Sequence, residues 1–356
     1  MLAAEKINNK RQVELDLARG LAVFFMLNAH VLLYLSNPQV EETFVGALVH
    51  FLGGVPAAPV FMFTMGIGVA YSRRTESGYF IKRGAMLTAA GYLLNALRGF
   101  IPLSLGIRLN LVDPETLRYG GLMGNLLVVD ILMLAGLSLM VIGLFKKLRL
   151  PVGLYPLAAV LFAALHYFVQ DITAANQTIN ALLGLFWGTG IISCFPLLIW
   201  AFYPLVGVYF GSFLIRCNNK KRFYLLVSVI AIVIFFAASF ATGYIQGYDL
   251  GFEDDYKYYH HDLLGNLIFT SMIVLWVALL FLAKSVIPRA LKDILVFWSR
   301  HIFSFYIIHW LLIGWSVLIL GYYNLGYWAN LLAMLLLLIV TDRLTRILVH
   351  RLPLKI

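Results

Sequence analysis

Apolar residues run through this chain in long blocks rather than at helical or strand spacing. A helix needs about 20 mostly apolar residues to cross about 30 Å of hydrocarbon. Ten stretches meet that length, near 15–36, 45–71, 80–101, 121–145, 151–170, 194–215, 223–245, 263–283, 293–320 and 326–348. The blocks predict an all-α, polytopic membrane protein of about ten transmembrane helices, forming one domain over residues 1–356. A further apolar stretch, 178–193, reads as a short re-entrant or interfacial piece. The first block is long, carries Arg19 and lacks a small-x-small cleavage site, so it reads as a retained helix rather than a signal peptide.

Composition agrees with the blocks. Of 356 residues, 62% are hydrophobic and 12% charged, about half the charge of a soluble domain. The basic residues fix an orientation. With the N-terminus in the cytoplasm, 21 of the 27 Lys and Arg fall in cytoplasmic segments, from Lys6, Lys10 and Arg11 to Arg343, Arg346, Arg351 and Lys355. Outer segments keep only Arg98, Arg108, Arg118 and Lys257. Such a bias places both termini in the cytoplasm. The net charge of +10 is therefore a topology signal. It is scattered over short membrane-flanking loops, so nucleic acid is not an expected partner. Cys194 and Cys217 fall on opposite sides of the bilayer and cannot bridge.

Ionisable groups inside apolar helices are costly and suggest function by default. The first helix, ELDLARGLAVFFMLNAHVLLYL, carries Asp16, Arg19, Asn28 and His30. Arg19 and His30 share one helix face about 16 Å apart along the axis, and Asp16 can pair with Arg19. The expected arrangement is a cation at the inner mouth and an imidazole deeper in the membrane, facing a common chamber. The bland alternative is a snorkelling arginine and a histidine bonded to a neighbouring helix. His50 precedes a second helix rich in Gly, Ala and Pro. Arg73, Arg74, Lys82 and Arg83 follow it as a dense basic turn, explained either by the positive-inside rule or as a phosphate-binding patch. His301 and His309 sit on the ninth helix, about 80° apart, so they are not expected to share a metal. Asp130 is an acid in the outer half of helix four, and His166 is read as interfacial. The segment Glu253 to Asp262, EDDYKYYHHD, reads as a solvated outer loop. No metal is expected.

Four segments carry a family likeness. LDLARGLAVFFMLNAH resembles the LDxxRG start of the transmembrane acyltransferases, and its Arg19-to-His30 interval matches the R-x10-H pattern of acyltransferase family 3. PVFMFTMGIGVAYSRR with FIKRG is similar to the second helix and basic turn of the branch around heparan-alpha-glucosaminide N-acetyltransferase. VDILMLAGLSLM and FPLLIWAFYPLVGVYFG look like later helices of that branch, and SRHIFSFYIIHWLL resembles the late S-x-x-x-Y-x-x-H helix.

The resemblance implies transfer of an acyl group, usually acetyl in this superfamily, from cytoplasmic acyl-CoA to a hydroxyl or amine of an extracytoplasmic sugar or glycan. It maps the essential histidine onto His30, with Arg19 as companion. In the heparan-type branch a histidine before the second helix serves instead, for which His50 stands closest. The base therefore stays open between His30 and His50. The implied binder of acetyl-CoA is the set Arg19, Arg73, Arg74, Lys82 and Arg83, with Asp16, Asp130 and His309 toward the substrate. Expected surroundings are the lipid bilayer of a plasma or inner membrane, with a homodimer left open. The rival readings are a proton-coupled transporter or flippase of a small or lipid-linked substrate using His30 and Asp130, and a non-catalytic membrane scaffold. A transporter built from repeats would show internal self-similarity, and none is visible.

Overall fold

The computed structural model describes residues 2–188, 190–243 and 258–351, apart from the side chain of Gln177. It is 76% helical, with no strand among the described residues. The helices are α1 (Val13–Leu35), α2 (Phe44–Gly53), α3 (Ala58–Tyr71), α4 (Ser77–Asn95), α5 (Ile101–Arg108), α6 (Leu122–Leu127), α7 (Ile131–Lys147), α8 (Tyr155–Val169), α9 (Phe202–Leu214), α10 (Lys220–Thr242), α11 (Leu263–Ala283), α12 (Arg289–Arg300), α13 (Ile302–Leu320) and α14 (Tyr327–Arg351). Among the described residues, seven helical segments are long and apolar enough to cross a membrane: Val13–Leu35, Phe44–Tyr71, Val152–Val169, Leu197–Leu214, Lys220–Thr242, Leu263–Ala283 and Ile302–Leu320. The protein is an all-α, multi-pass membrane protein.

Three expected elements take a different form. The run 121–145 is broken at Val128–Asp130, where the backbone leaves the helix: the Val129 amide bonds to the Ile192 carbonyl, and the Phe195 amide to the Val129 carbonyl. Asp130 then caps α7, its Oδ1 accepting the Ile131 amide at 2.6 Å. The run 293–320 splits at His301 (φ −113°, ψ 27°) into α12 and α13. α12 starts earlier than the apolar run because Pro288, with no amide to donate, stands just before its first turn. Its apolar residues occupy one side only, so it is amphipathic rather than spanning. Within 178–193 the helix Gln177–Leu183 is followed by irregular backbone.

The chain divides into two compact units. The first comprises Met1–Gln12, Pro59–Tyr92 and Leu127–Leu282; the second comprises Val13–Ala58, Leu93–Leu126 and Ala283–Ile356. In the first unit α9 packs against α8, and α3 approaches α9 closely through Gly66. A Cβ on Gly66 would lie 2.1 Å from the Pro204 carbonyl oxygen, whereas one on Gly68 meets nothing within 4 Å. Small residues permit such backbone approach in membranes, where lipid is as apolar as leucine and packing supplies the association energy.

The second unit is built around α1, which packs against α2, α12, α13 and α14. Because neighbours surround it, α1 buries residues on every side, and its polar groups bond within the protein. Asp16, 0% exposed, accepts from Arg19 at 2.9 Å and from the Ser299 hydroxyl of α12 at 2.8 Å. Glu14 lies 3.8 Å from Lys284. On α12, the Trp298 indole donates to Asp342 at 2.8 Å, and Asp342 also pairs with Arg346. These bonds hold the amphipathic helix to its neighbours at the end of α1 that carries Asp16.

Gly66→Ala should lower the unfolding temperature of the detergent-solubilised protein, at a cost of about 1–3 kcal/mol for the forced separation of the two backbones. Gly68→Ala, made in parallel, should leave it within experimental error.

Candidate active site

His30 lies on α1 about one and a half turns from its end at Leu35, and α13 brings His309 to it. His30 Nδ1 and His309 Nε2 are 3.0 Å apart, with the two rings within 6° of parallel. The proton positions follow from one group that can only accept. His309 Nδ1 lies 3.0 Å from the Phe305 carbonyl, so Nδ1 carries the hydrogen and donates it. In the neutral ring, His309 Nε2 then offers a lone pair, and His30 Nδ1–H donates to it. His30 Nε2 is left as a lone pair on a partly exposed ring, since the hydrogen bond of this imidazole runs through Nδ1. His309 itself is 0% exposed. The two rings are oriented in series: a carbonyl fixes one imidazole, and that imidazole fixes the next.

Aromatic side chains enclose it. The Trp310 ring lies 4.1 Å from the His30 ring, Tyr34 lies 5.1 Å from Trp310, and Tyr306 meets His309 edge-on at 5.3 Å. Two arginines join them. The Arg98 guanidinium stacks 3.8 Å from the Trp310 ring centre. Arg118 lies over Tyr34 at 4.8 Å and donates to the Leu33 carbonyl at 2.6 Å and to the Tyr323 hydroxyl at 2.8 Å. Tyr34 and Tyr119 share a hydroxyl–hydroxyl bond of 2.9 Å. Tyr119 has φ +59°, a left-handed conformation uncommon for a bulky residue. Asn125 holds that turn by donating to the carbonyls of Arg118 and Gly121. Beside it, burial and then Tyr34 push the Tyr322 hydroxyl to a higher pKa.

The other expected site residues fall elsewhere. Arg19 shares a stripe with His30, and Val23 and Met26 between them are buried, at 0% and 6% exposed. Arg19 belongs instead to the Asp16–Ser299 network, and the cations grouped around His30 are Arg98 and Arg118. His50, on α2, has its Nε2 3.6 Å from the Glu41 carboxylate. Arg73, Arg74, Lys82 and Arg83 are all exposed in the first unit. Arg83 donates to the Tyr79 hydroxyl at 2.9 Å and Arg74 lies 5.7 Å over the same ring, so two of the four converge on one aromatic. Among the described residues, no group of three or more His, Cys, Asp or Glu could hold a metal ion.

The model of the heparan-alpha-glucosaminide N-acetyltransferase catalytic domain matches residues 11–238. The chain belongs to this family. It is a membrane acetyltransferase of the carbohydrate-modifying kind. No curated protein and no solved structure matches the chain. The matched segment contains His30, His50, the basic turn, Arg98 and Arg118, and it ends before α13. The bond from His30 to His309 therefore comes from the tertiary structure rather than from the family match. Sequence reasoning missed Arg98, Arg118, Trp310, Tyr34 and Tyr119. Arg98 and Arg118 were assigned to outer loops, although Arg98 stands inside an apolar run three residues after Asn95, which was a signal to look inward.

The segment expected as a solvated loop, Glu253 to Asp262, lies outside the described residues up to Lys257. Its remainder is graded in exposure: Tyr258, Tyr259 and His260 are half-buried, His261 is buried and Asp262 is exposed. His261 is 4% exposed and bonds to the buried Tyr203 at 2.7 Å and to Asn266 at 3.0 Å. His260 and His261 line a cavity of about 440 Å³ together with His166. Burial, then the neighbouring His166 and His261, hold the His260 imidazole down to about 4. Its folded pKa thus lies below the unfolded value of about 6.5. The resulting stability is present above pH 6.5 and is lost as the pH falls toward 4. Thermal unfolding at pH 5 should show a loss of about 2 kcal/mol relative to pH 8 from this residue, and His260→Gln should flatten the pH dependence.

Proposed function

We propose that the protein transfers an acetyl group from acetyl-CoA to a hydroxyl or amine of a sugar or glycan, with His30 as general base. The observation that carries this reading is the relay from the Phe305 carbonyl through His309 to His30 Nδ1, in which the tautomer set by the carbonyl leaves His30 Nε2 as a lone pair. Acyl transfer requires a proton to leave the attacking hydroxyl or amine as its oxygen or nitrogen bonds to the thioester carbon. His30 Nε2 takes that proton. The carbon–sulfur bond breaks and the thiolate leaves, recovering a proton from the imidazolium or from water. A neutral histidine suits this role near neutral pH, and His309 keeps the tautomer that exposes Nε2.

Arg73, Arg74, Lys82 and Arg83 would hold the donor's phosphates through charge-assisted bonds. Tyr79, gripped by Arg74 and Arg83, fits this role because it gathers two guanidinium groups into one patch. Both termini and this patch are assigned to the cytoplasm by the distribution of basic residues, and the acceptor to the opposite side. Arg19 is engaged by Asp16 at the α1–α12 junction. His50 is paired with Glu41 and lacks an orienting imidazole, which favours His30 as the base.

Radiolabelled acetyl-CoA with a panel of glycans and the purified protein tests the assignment. His30→Gln should lower the transfer rate by about 10²- to 10⁴-fold; His309→Gln should lower it by less, and His50→Gln should stay near wild type. An inactive His50→Gln beside an active His30→Gln would move the base to His50. No transfer by wild type to any acceptor would favour the transporter reading.

A further inference from the structure

The helix that follows the basic turn does not continue as an ordinary α-helix. Between α4 and α5, Ala96–Phe100 form a π-turn, closed by the Ile101 amide bonding back to the Ala96 carbonyl. Pro102 explains the widening. Proline has no N–H to donate to the carbonyl four residues earlier, that of Arg98, and its ring crowds that oxygen. One extra residue in the turn relieves both problems, and single π-turns of this kind occur often at functional sites.

α13 is shaped to receive the displaced backbone. A Cβ on Gly314 would stand 1.9 Å from the Arg98 carbonyl oxygen, so only glycine allows the approach. One residue on, the Trp315 indole donates to the Leu97 carbonyl at 3.1 Å. The π-turn is thereby docked on the helix that carries His309 and Trp310.

The turn aims Arg98 inward. Its side chain is 7% exposed, and the Asn95 amide oxygen accepts from Nε at 3.2 Å and from a terminal nitrogen at 3.0 Å. Asn95 is itself anchored by donating to the Leu126 carbonyl at 3.1 Å. So held, the guanidinium stacks on Trp310. Trp310 needs that support, because its buried indole nitrogen has no hydrogen-bond partner among the described residues. Stacking alone orients it, and the same ring lies 4.1 Å from His30.

We propose that Arg98, presented by the π-turn and fixed by Asn95, is a positioning residue for the His30 base: it clamps Trp310 against the imidazole, while His309 fixes the same imidazole by its hydrogen bond. The inference rests on the reading of His30 as the base. Arginine suits the clamp better than lysine, since a planar guanidinium can stack on the indole and bond to Asn95 at once.

The test uses the full chain in lipid nanodiscs, with acetyl-CoA and glucosamine as probes, and reads kcat and KM separately with the unfolding temperature of each variant. Arg98→Gln should lower kcat by about 10²-fold, the scale of a misplaced catalytic group, with the KM for acetyl-CoA changed less than about twofold. Trp310→Ala should match it, Trp310→Phe should lose less, and Arg98→Lys should recover kcat to within about tenfold of wild type. The double variant Arg98→Gln/Trp310→Ala should be no slower than the slower single one, because groups acting as a unit are not additive. If Arg98→Gln fails to fold, Asn95→Leu, which removes the acceptor of the guanidinium together with the bond to the Leu126 carbonyl, should show the same kcat loss. Wild-type kcat in the folded Arg98→Gln, or losses that multiply in the double variant, would overturn the clamp. A folded His30→Gln that keeps wild-type kcat would instead overturn the reading of the base beneath it.

Discussion

A histidine inside a membrane helix has no water to satisfy it and must find its partner in the protein. Here that requirement is met by a second imidazole on another helix, which is in turn tied to a backbone carbonyl one turn away on α13. The carbonyl can only accept, so the chain of donors has a single direction, and it ends on an unprotonated nitrogen at a partly exposed ring. Every other feature of the site serves to keep α1 and α13 at the separation and rotation this bond requires.

Two kinds of support do so. At the end of α1 that carries Asp16, a buried carboxylate joins Arg19 to Ser299 of α12, and Trp298 joins α12 to Asp342 of α14. Asp16, Ser299 and Trp298 are buried and each has its partner, the condition under which a polar group is tolerated out of water. Around His30 the support is aromatic. Trp310, Tyr34 and Tyr306 surround the imidazoles, and Arg98 and Arg118 lie on the rings of Trp310 and Tyr34. The low polarity of such an enclosure strengthens the few hydrogen bonds inside it.

The π-turn shows how a local covalent constraint reaches the site. Pro102 has no amide to donate to the Arg98 carbonyl, the helix widens, Gly314 leaves room for that oxygen, and the arginine side chain is carried to Trp310. Each step has a steric or hydrogen-bonding cause. Had residue 102 been able to donate its amide, the turn would have lacked its reason to open.

Much of the architecture was legible in the chain itself. Long apolar blocks can be stable only in lipid, and backbone polar groups in lipid can be satisfied by helices, so the class followed from composition and block length. Asp16 beside Arg19, and an ionisable His30 in an apolar run, were visible because helical spacing and the cost of burying charge are properties of one segment. The interruptions at Val128–Asp130 and His301 were not, since apolar runs do not report backbone bonds made to distant residues. Nor was the pairing of His30 with His309, or the replacement of Arg19 by Arg98 and Arg118 as the cations nearby. Those depend on which helix faces meet, and in lipid that choice is made by close packing and hydrogen bonds between segments far apart in the chain, which only the tertiary structure decides.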